Sequence, residues 1–196
     1  MGKIFCLMGK SSSGKDTIFK LLKADKDLSL KPIIPYTTRP KRENEGHGTD
    51  YFFIDQGVLE AYNRQGKIIE QREYQTVNGK WYYATVNDGQ IDLARANYLL
   101  IGTLSVYNSL QVYFGSNCVV PLYIDVDDAT RLERAMNREK QQQQPNYNEM
   151  CRRFLADSSD FSTERLLQNS ITKWYNNNNL TECINKIKTD ILTEIN

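Results

Sequence analysis

Ile4-Phe5-Cys6-Leu7-Met8-Gly9-Lys10-Ser11-Ser12-Ser13-Gly14-Lys15-Asp16-Thr17 runs without a break from an apolar stretch through a glycine- and serine-rich turn into a helical pattern. The apolar stretch Ile4 to Met8 reads as a buried strand. Gly9 and Gly14 let the backbone curl with its N–H groups turned inward, Lys15 adds a positive charge, and the helix that follows adds its dipole. Phosphate oxygens are what such a nest binds, which makes Gly9, Lys10, Ser11, Ser12, Ser13, Gly14, Lys15, Asp16 and Thr17 candidate phosphate-binding residues. The pattern G-x-x-x-x-G-K-S/T is met except at its last position, where Asp16 precedes Thr17. Mg²⁺ accepts carboxylate or hydroxyl oxygen, so either residue is a candidate metal ligand. Neighbouring helical side chains point about 100° apart, so the two cannot serve one ion together. An ordinary Ser-capped turn before a helix is the simpler reading, but it leaves unexplained why strand, glycine spacing, lysine and helix coincide.

The rest of the chain sets limits. A length of 196 residues with 40% hydrophobic content suits one domain with a sizeable core. With 25 basic and 24 acidic residues the formal charge is +1, which argues against a general nucleic-acid or membrane footprint and leaves any positive potential local. Cys6, Cys118, Cys151 and Cys183 are far apart and His47 is the single histidine, a set that suits reduced thiols in a cytoplasmic protein better than a zinc site. The N-terminal apolar run is too short for a signal segment or a membrane span. Gln141 to Gln144 and Asn176 to Asn179 read as compositional bias in exposed turns, with no function.

Periodicity organises the chain further. Asp16 to Ala24 places Ile18, Leu21 and Leu22 on one helical face. From Pro32 to Asn97 the texture turns to short Tyr-, Phe- and Thr-rich pieces with turns at Glu45 to Gly48, Gln65-Gly66, Asn78-Gly79 and Asp88-Gly89, the pattern of an inserted mixed β lobe. Strands at Tyr98 to Ile101 and Val119 to Val126 return to a parallel sheet. Helices follow at Ala129 to Glu139 and Glu149 to Ala156, separated by the Gln tract and Pro145, so that two basic arms flank a tip as in a lid. A last helix spans Leu180 to Ile195, with Ile184, Ile187, Ile191 and Leu192 inward.

A second motif names a ligand class. Thr37-Thr38-Arg39-Pro40-Lys41-Arg42 to Asp50-Tyr51 gathers arginines, acids and an aromatic hydroxyl: Arg39 and Arg42 suit bidentate bonds to a phosphate, Tyr51 adds a donor, and Glu45 or Asp50 can hold the guanidiniums. Downstream of a phosphate loop, T-T-R-P-x-R-x-x-E-x-x-G-x-D-Y resembles the nucleoside-monophosphate site of the guanylate kinase family of P-loop nucleoside monophosphate kinases, and the similarity runs through nearly the whole chain. The resemblance implies that Arg39, Arg42 and Tyr51 bind the GMP phosphate. It also implies that Tyr83 and Thr85, in Trp81-Tyr82-Tyr83-Ala84-Thr85, match the family's Y-Y-G-S/T element, and that Glu70 reads guanine N1 and N2. Arg134 and Arg138 resemble the family's R-x-x-x-R lid pair, and Arg153 the arginine of the returning lid helix. With Lys15 they form the implied catalytic set; pairing with Glu133, Glu139 or Asp157 is the ordinary alternative for these arginines.

The resemblance therefore implies an α/β fold, a P-loop nucleoside monophosphate kinase-like parallel sheet core (1–34, 97–135 and 156–196) with an inserted mixed β NMP-binding lobe (35–96) and a helical lid (136–155), all one domain over 1–196. The implied activity is transfer of the γ-phosphoryl group of ATP, as Mg-ATP, to GMP, in the cytoplasm, with no nucleic-acid, membrane or protein partner. Two places depart from the family pattern. Pro35-Tyr36 stands where small hydroxyl residues usually precede T-T-R, and Leu100-Ile101-Gly102-Thr103-Leu104-Ser105 lacks the acids of D-x-D-x-Q-G, leaving Thr103 and Ser105 as weaker acceptors. These, with Gly14-Lys15-Asp16, give the chain a second resemblance, to ribose 1,5-bisphosphate phosphokinases of the same fold. A non-catalytic guanylate-kinase-like binding module is the third reading, which the intact Gly9, Gly14 and Lys15 oppose.

Overall fold

The computed structural model describes residues 1–43, 45–76 and 79–195; Asn78 of the turn expected at Asn78-Gly79 lies outside them. The chain runs β1 (Ile4–Met8), α1 (Lys15–Ala24), β2 (Lys31–Pro32), β3 (Tyr36–Thr37), β4 (Phe52–Phe53), α2 (Gln56–Arg64), β5 (Ile68–Thr76) and β6 (Gly79–Val86). It continues through β7 (Tyr98–Ile101), α3 (Leu104–Phe114), β8 (Val119–Asp125), α4 (Asp128–Lys140), α5 (Tyr147–Asp160), α6 (Thr163–Gln168), β9 (Trp174–Asn176) and α7 (Leu180–Ile195).

A five-stranded parallel sheet in the order β2-β7-β1-β8-β9 has β1 at its centre, with Ile4 beside Tyr98 on one flank and Val119 on the other. Such a strand is covered on both faces, so it needs an unbroken apolar run. All five residues of β1 are buried. Alternation sends Ile4, Cys6 and Met8 into the layer formed with α3 and α6, and Phe5 and Leu7 into the layer formed with α1 and α7. Ligands of open parallel sheets bind beyond the carboxyl ends of the strands, where Gly9 to Gly14 lie.

A second, mixed sheet in the order β4-β3-β6-β5 carries the turn-rich segment, with β3 parallel to β4 and antiparallel to β6. Its core is Tyr36, Leu59, Ala84 and Val86. Tyr36 is therefore a packing residue: its ring meets Phe52 and Tyr62, and its hydroxyl donates to Asp88.

Several expectations need correction. Leu21 is 46% exposed, so the inward face of α1 is Ile18 and Leu22, with Phe19 partly buried beside them. The inserted segment is not built of β pieces only, because α2 crosses it, capped by Asp55 and burying Leu59. Helices α3 and α6 and strand β9 also lie where no element was expected. Gln141 to Gln144 do form an exposed turn between α4 and α5, but the asparagine tract does not: Asn176 ends β9 and Asn177 is buried. Among the described residues no helix is long and apolar enough to cross a membrane.

Candidate functional site

The loop after β1 is shaped by three left-handed or near-forbidden backbone positions, Gly9 (φ 150°), Ser12 (φ 63°) and Gly14 (φ 89°). A side chain at Gly9 would lie 2.5 Å from the Ile124 carbonyl oxygen, and one at Gly14 the same distance from Asn177 Nδ2, so both positions require glycine. Lys15 folds back over the loop and donates to the carbonyls of Gly9 (2.6 Å) and Lys10 (2.8 Å). Burial lowers its pKa to about 8, against the partial compensation of Asp16 and Asp157; Arg131 and Arg138 lower it further. Ser13 is fully buried, whereas the Ser12 hydroxyl oxygen is buried with no hydrogen-bond partner among the described residues. Asp16 and Thr17 sit exposed in the first turn of α1, and Gly14 caps the helix without a side-chain bond.

The expected acceptor residues gather on the second sheet. Arg39 is 4% exposed and forms a fork with Glu45, Nη2 to Oε1 at 2.7 Å and Nη1 to Oε2 at 3.0 Å, while its Nε donates to the Tyr83 hydroxyl at 3.1 Å. The Arg39 guanidinium also lies 5.5 Å from the Tyr51 ring centre, and Tyr51 meets Tyr83 edge to face. The hydrogen bond from Arg39 holds the Glu45 carboxyl below the usual range, and burial raises the Tyr51 hydroxyl above its own. Glu45 is thus the acid that holds a guanidinium; Asp50 instead accepts the Gly46 N–H at 2.7 Å. Arg42 donates its backbone N–H to Glu45 and carries an exposed side chain. Glu70 is 7% exposed and accepts from the Thr85 hydroxyl (3.0 Å) and from Arg72 Nε (3.1 Å).

The lid arginines are less convergent. Arg134 donates to the Asn177 carbonyl at 3.2 Å, Arg138 is exposed but within electrostatic reach of Lys15, and Arg153 pairs with Glu149 one turn earlier at 2.7 Å. Thr103, two residues beyond β7, caps α3 with its hydroxyl, which also lies 2.8 Å from that of Ser105.

Four residues outside the expected sets touch them, Asp157 being expected only as an arginine's partner and Asn177 only as part of an exposed tract. Arg72 pairs with Glu70, Arg131 donates to the Ser11 carbonyl, Asp157 accepts the Ser11 N–H, and Asn177 Nδ2 donates to the Ser13 carbonyl at 2.8 Å. A buried helical stripe Arg131, Ala135, Glu139, with charge where apolar residues are expected, was the available signal for one of them.

A glycine loop at the carboxyl end of a central parallel strand, running into a helix, defines a P-loop α/β protein. The guanylate kinase family model matches residues 1–191. A guanylate kinase of Mycoplasma mobile is 30% identical over 99% of this chain and 94% of its own length. One of Malacoplasma penetrans is 31% identical over 70% of this chain and 58% of its own length, and one of Neisseria gonorrhoeae 34% over 57% and 52%, so these matches span about half of those relatives. In fold, the chain is similar to the crystal structure of guanylate kinase from Anaplasma phagocytophilum, with a TM-score of 0.67 at 19% identity, covering 98% of this chain and 86% of that one. The chain belongs to the guanylate kinase family.

Proposed function

We propose that this protein is an ATP-dependent guanylate kinase that transfers the γ-phosphoryl group of ATP to GMP, giving ADP and GDP. The observation that carries this reading is the pairing of an intact phosphate loop with a preformed acceptor set, Arg39, Tyr51 and Tyr83 on one side and Glu70 with Thr85 on the other. In this reading 35–96 is the acceptor lobe and 136–155 the lid of a single domain, and the enzyme works in the cytoplasm, where both nucleotides are available.

The residues fit Mg-ATP. Loop carbonyls occupy Lys15 Nζ, the Ser12 hydroxyl has no partner among the described residues, and Asp16 and Thr17 offer exposed oxygens at the helix start. Mg²⁺ enters with ATP as part of the substrate and neutralises phosphate charge; either Asp16 or Thr17 would hold it. Lys15 leaves the loop carbonyls for phosphate oxygens, and the helix dipole of α1 favours the same charge. At the acceptor, the two Arg39–Glu45 bonds fix the guanidinium plane before the phosphate arrives. Arg42, with an exposed side chain, and the Tyr51 and Tyr83 hydroxyls complete the phosphate contacts. Glu70 uses its remaining lone pairs for the guanine N–H groups. The attacking phosphate oxygen is already anionic, so no general base is required, and catalysis comes from alignment, neutralisation and water exclusion. Arg134, Arg138 and Arg153 supply the lid charge, Arg153 exchanging Glu149 for phosphate as the lid closes.

Calorimetry on two variants tests this division of labour. Arg39→Ala weakens GMP binding by about tenfold or more while ATP affinity stays within about twofold. Glu70→Gln, which turns an acceptor into a donor against the guanine N–H groups, lowers the preference for GMP over AMP. Equal loss of both ligands in both variants would contradict the acceptor assignment.

A further inference from the structure

Helix α4 buries Arg131, Ala135 and Glu139, and Arg131 is fully enclosed. A guanidinium out of water costs several kcal/mol unless it is paired and hydrogen-bonded, so its partners show its purpose. Its Nε donates to the Ser11 carbonyl at 3.1 Å, its Nη1 to Asp128, and its Nη2 lies 3.5 Å from Asp157 Oδ2, while Phe154 covers the guanidinium with its ring centre at 4.7 Å. The same Asp157 oxygen accepts the Ser11 N–H at 2.6 Å. One residue of the phosphate loop is therefore held at its carbonyl by a cation from α4 and at its N–H by an anion from α5. Lys10, the preceding loop residue, adds a contact to Asp128 at 3.5 Å.

Stability alone does not account for this arrangement, because replacing a buried ion pair with apolar side chains is commonly neutral or favourable. What an apolar pair cannot supply is the two directional bonds to Ser11, next to Ser12 with its left-handed backbone. We propose that Arg131 and Asp157 are positioning residues for the nucleotide phosphates: acting through Ser11, they set the shape of the phosphate loop and tie it to both helices that carry the lid arginines. This rests on the phosphate-loop half of the proposed function and not on the identity of the acceptor. Asp157 also lies close enough to Lys15 to offset part of the desolvation of its ammonium group. The root of the lid is thereby fixed to the loop, and lid motion belongs to the segment beyond these anchors.

The test compares R131L/D157A, D157A and D157N by thermal denaturation and by ATP binding measured without any acceptor. R131L/D157A keeps the wild-type melting temperature or exceeds it, yet binds ATP roughly tenfold more weakly, the size of one hydrogen bond to a charged group. D157N, whose amide oxygen still accepts the Ser11 N–H, recovers most of the affinity that D157A loses, a rescue that a packing role would not produce. Wild-type ATP affinity in a folded R131L/D157A overturns the inference. So does equal ATP affinity in D157A and D157N, the comparison that decides the matter if the double variant does not fold. Because ATP binding is read alone, failure of GMP as acceptor would strike the proposed activity and not this inference.

Discussion

Lys15 is the residue on which most of the proposed chemistry turns, and its environment makes a pH-dependent statement. Burial lowers its pKa from 10.5 to about 8 in the folded protein. The unfolded chain therefore binds more protons between these values, so this group opposes folding fully below about pH 8 and the opposition fades as pH rises from about 8 to 10.5. Binding works the other way, because a polyphosphate beside the ammonium favours its charged form and raises its pKa. ATP binding near pH 8.5 is therefore accompanied by proton uptake, visible as a dependence of the calorimetric heat on buffer ionisation enthalpy, and affinity falls as pH rises above about 8. Lys15→Ala removes the proton uptake and lowers turnover by about two to three orders of magnitude, as loss of one transition-state donor does. An unchanged proton count in that variant would contradict the assignment. The glycines, Lys15 and Arg39 stand out in the sequence because each belongs to a local motif, and Glu70 only through the family resemblance. Arg131 and Asp157 are not, because their meaning lies in a contact with Ser11 across 120 and 146 residues of chain.

Among the elements, β1 with its loop and α1 is the most readable, since an apolar strand and a glycine turn are both local patterns. Helix α2 is amphipathic and capped by Asp55, but it is short and lies inside a segment whose aromatic and turn-rich texture reads as β, whereas the apolar residues of α3 are not confined to one stripe. The short junction of β9 and α7 departs from what its composition implies. In a run of asparagines, only the fold distinguishes Asn177, whose amide closes on the phosphate loop at the Ser13 carbonyl and packs where Gly14 leaves room. Asn177→Ala leaves that carbonyl buried without this donor and destabilises the protein by about 1–3 kcal/mol, measured by urea denaturation. A change below about 0.5 kcal/mol, the range of ordinary surface substitutions, would show that the amide is not a structural strut.

Taken as a whole, the molecule is nearly neutral, with a formal charge of +1, and several of its cations near the phosphate loop, on the second sheet and on the lid helices stand beside acids. Much of that charge is held by neighbouring acids: Arg39 by Glu45, Arg72 by Glu70, Arg131 by Asp128 and Asp157, and Arg153 by Glu149, whose pKa falls to about 2 chiefly through its bond from Arg152. Such pairs keep the guanidiniums oriented, and in the proposed reading only Arg153 exchanges its carboxylate, Glu149, for phosphate. The absence of acids from Leu100 to Ser105, and a cation at Arg72 beside Glu70, make the acceptor the decisive question. A coupled assay of ADP release with ATP and, in turn, GMP, dGMP, AMP, CMP, UMP and ribose 1,5-bisphosphate answers it. The proposed function calls for GMP to be used with a kcat/KM about a hundredfold or more above AMP and the pyrimidine nucleotides. Ribose 1,5-bisphosphate turned over faster than GMP, or no transfer to any acceptor by protein that binds ATP, would contradict it.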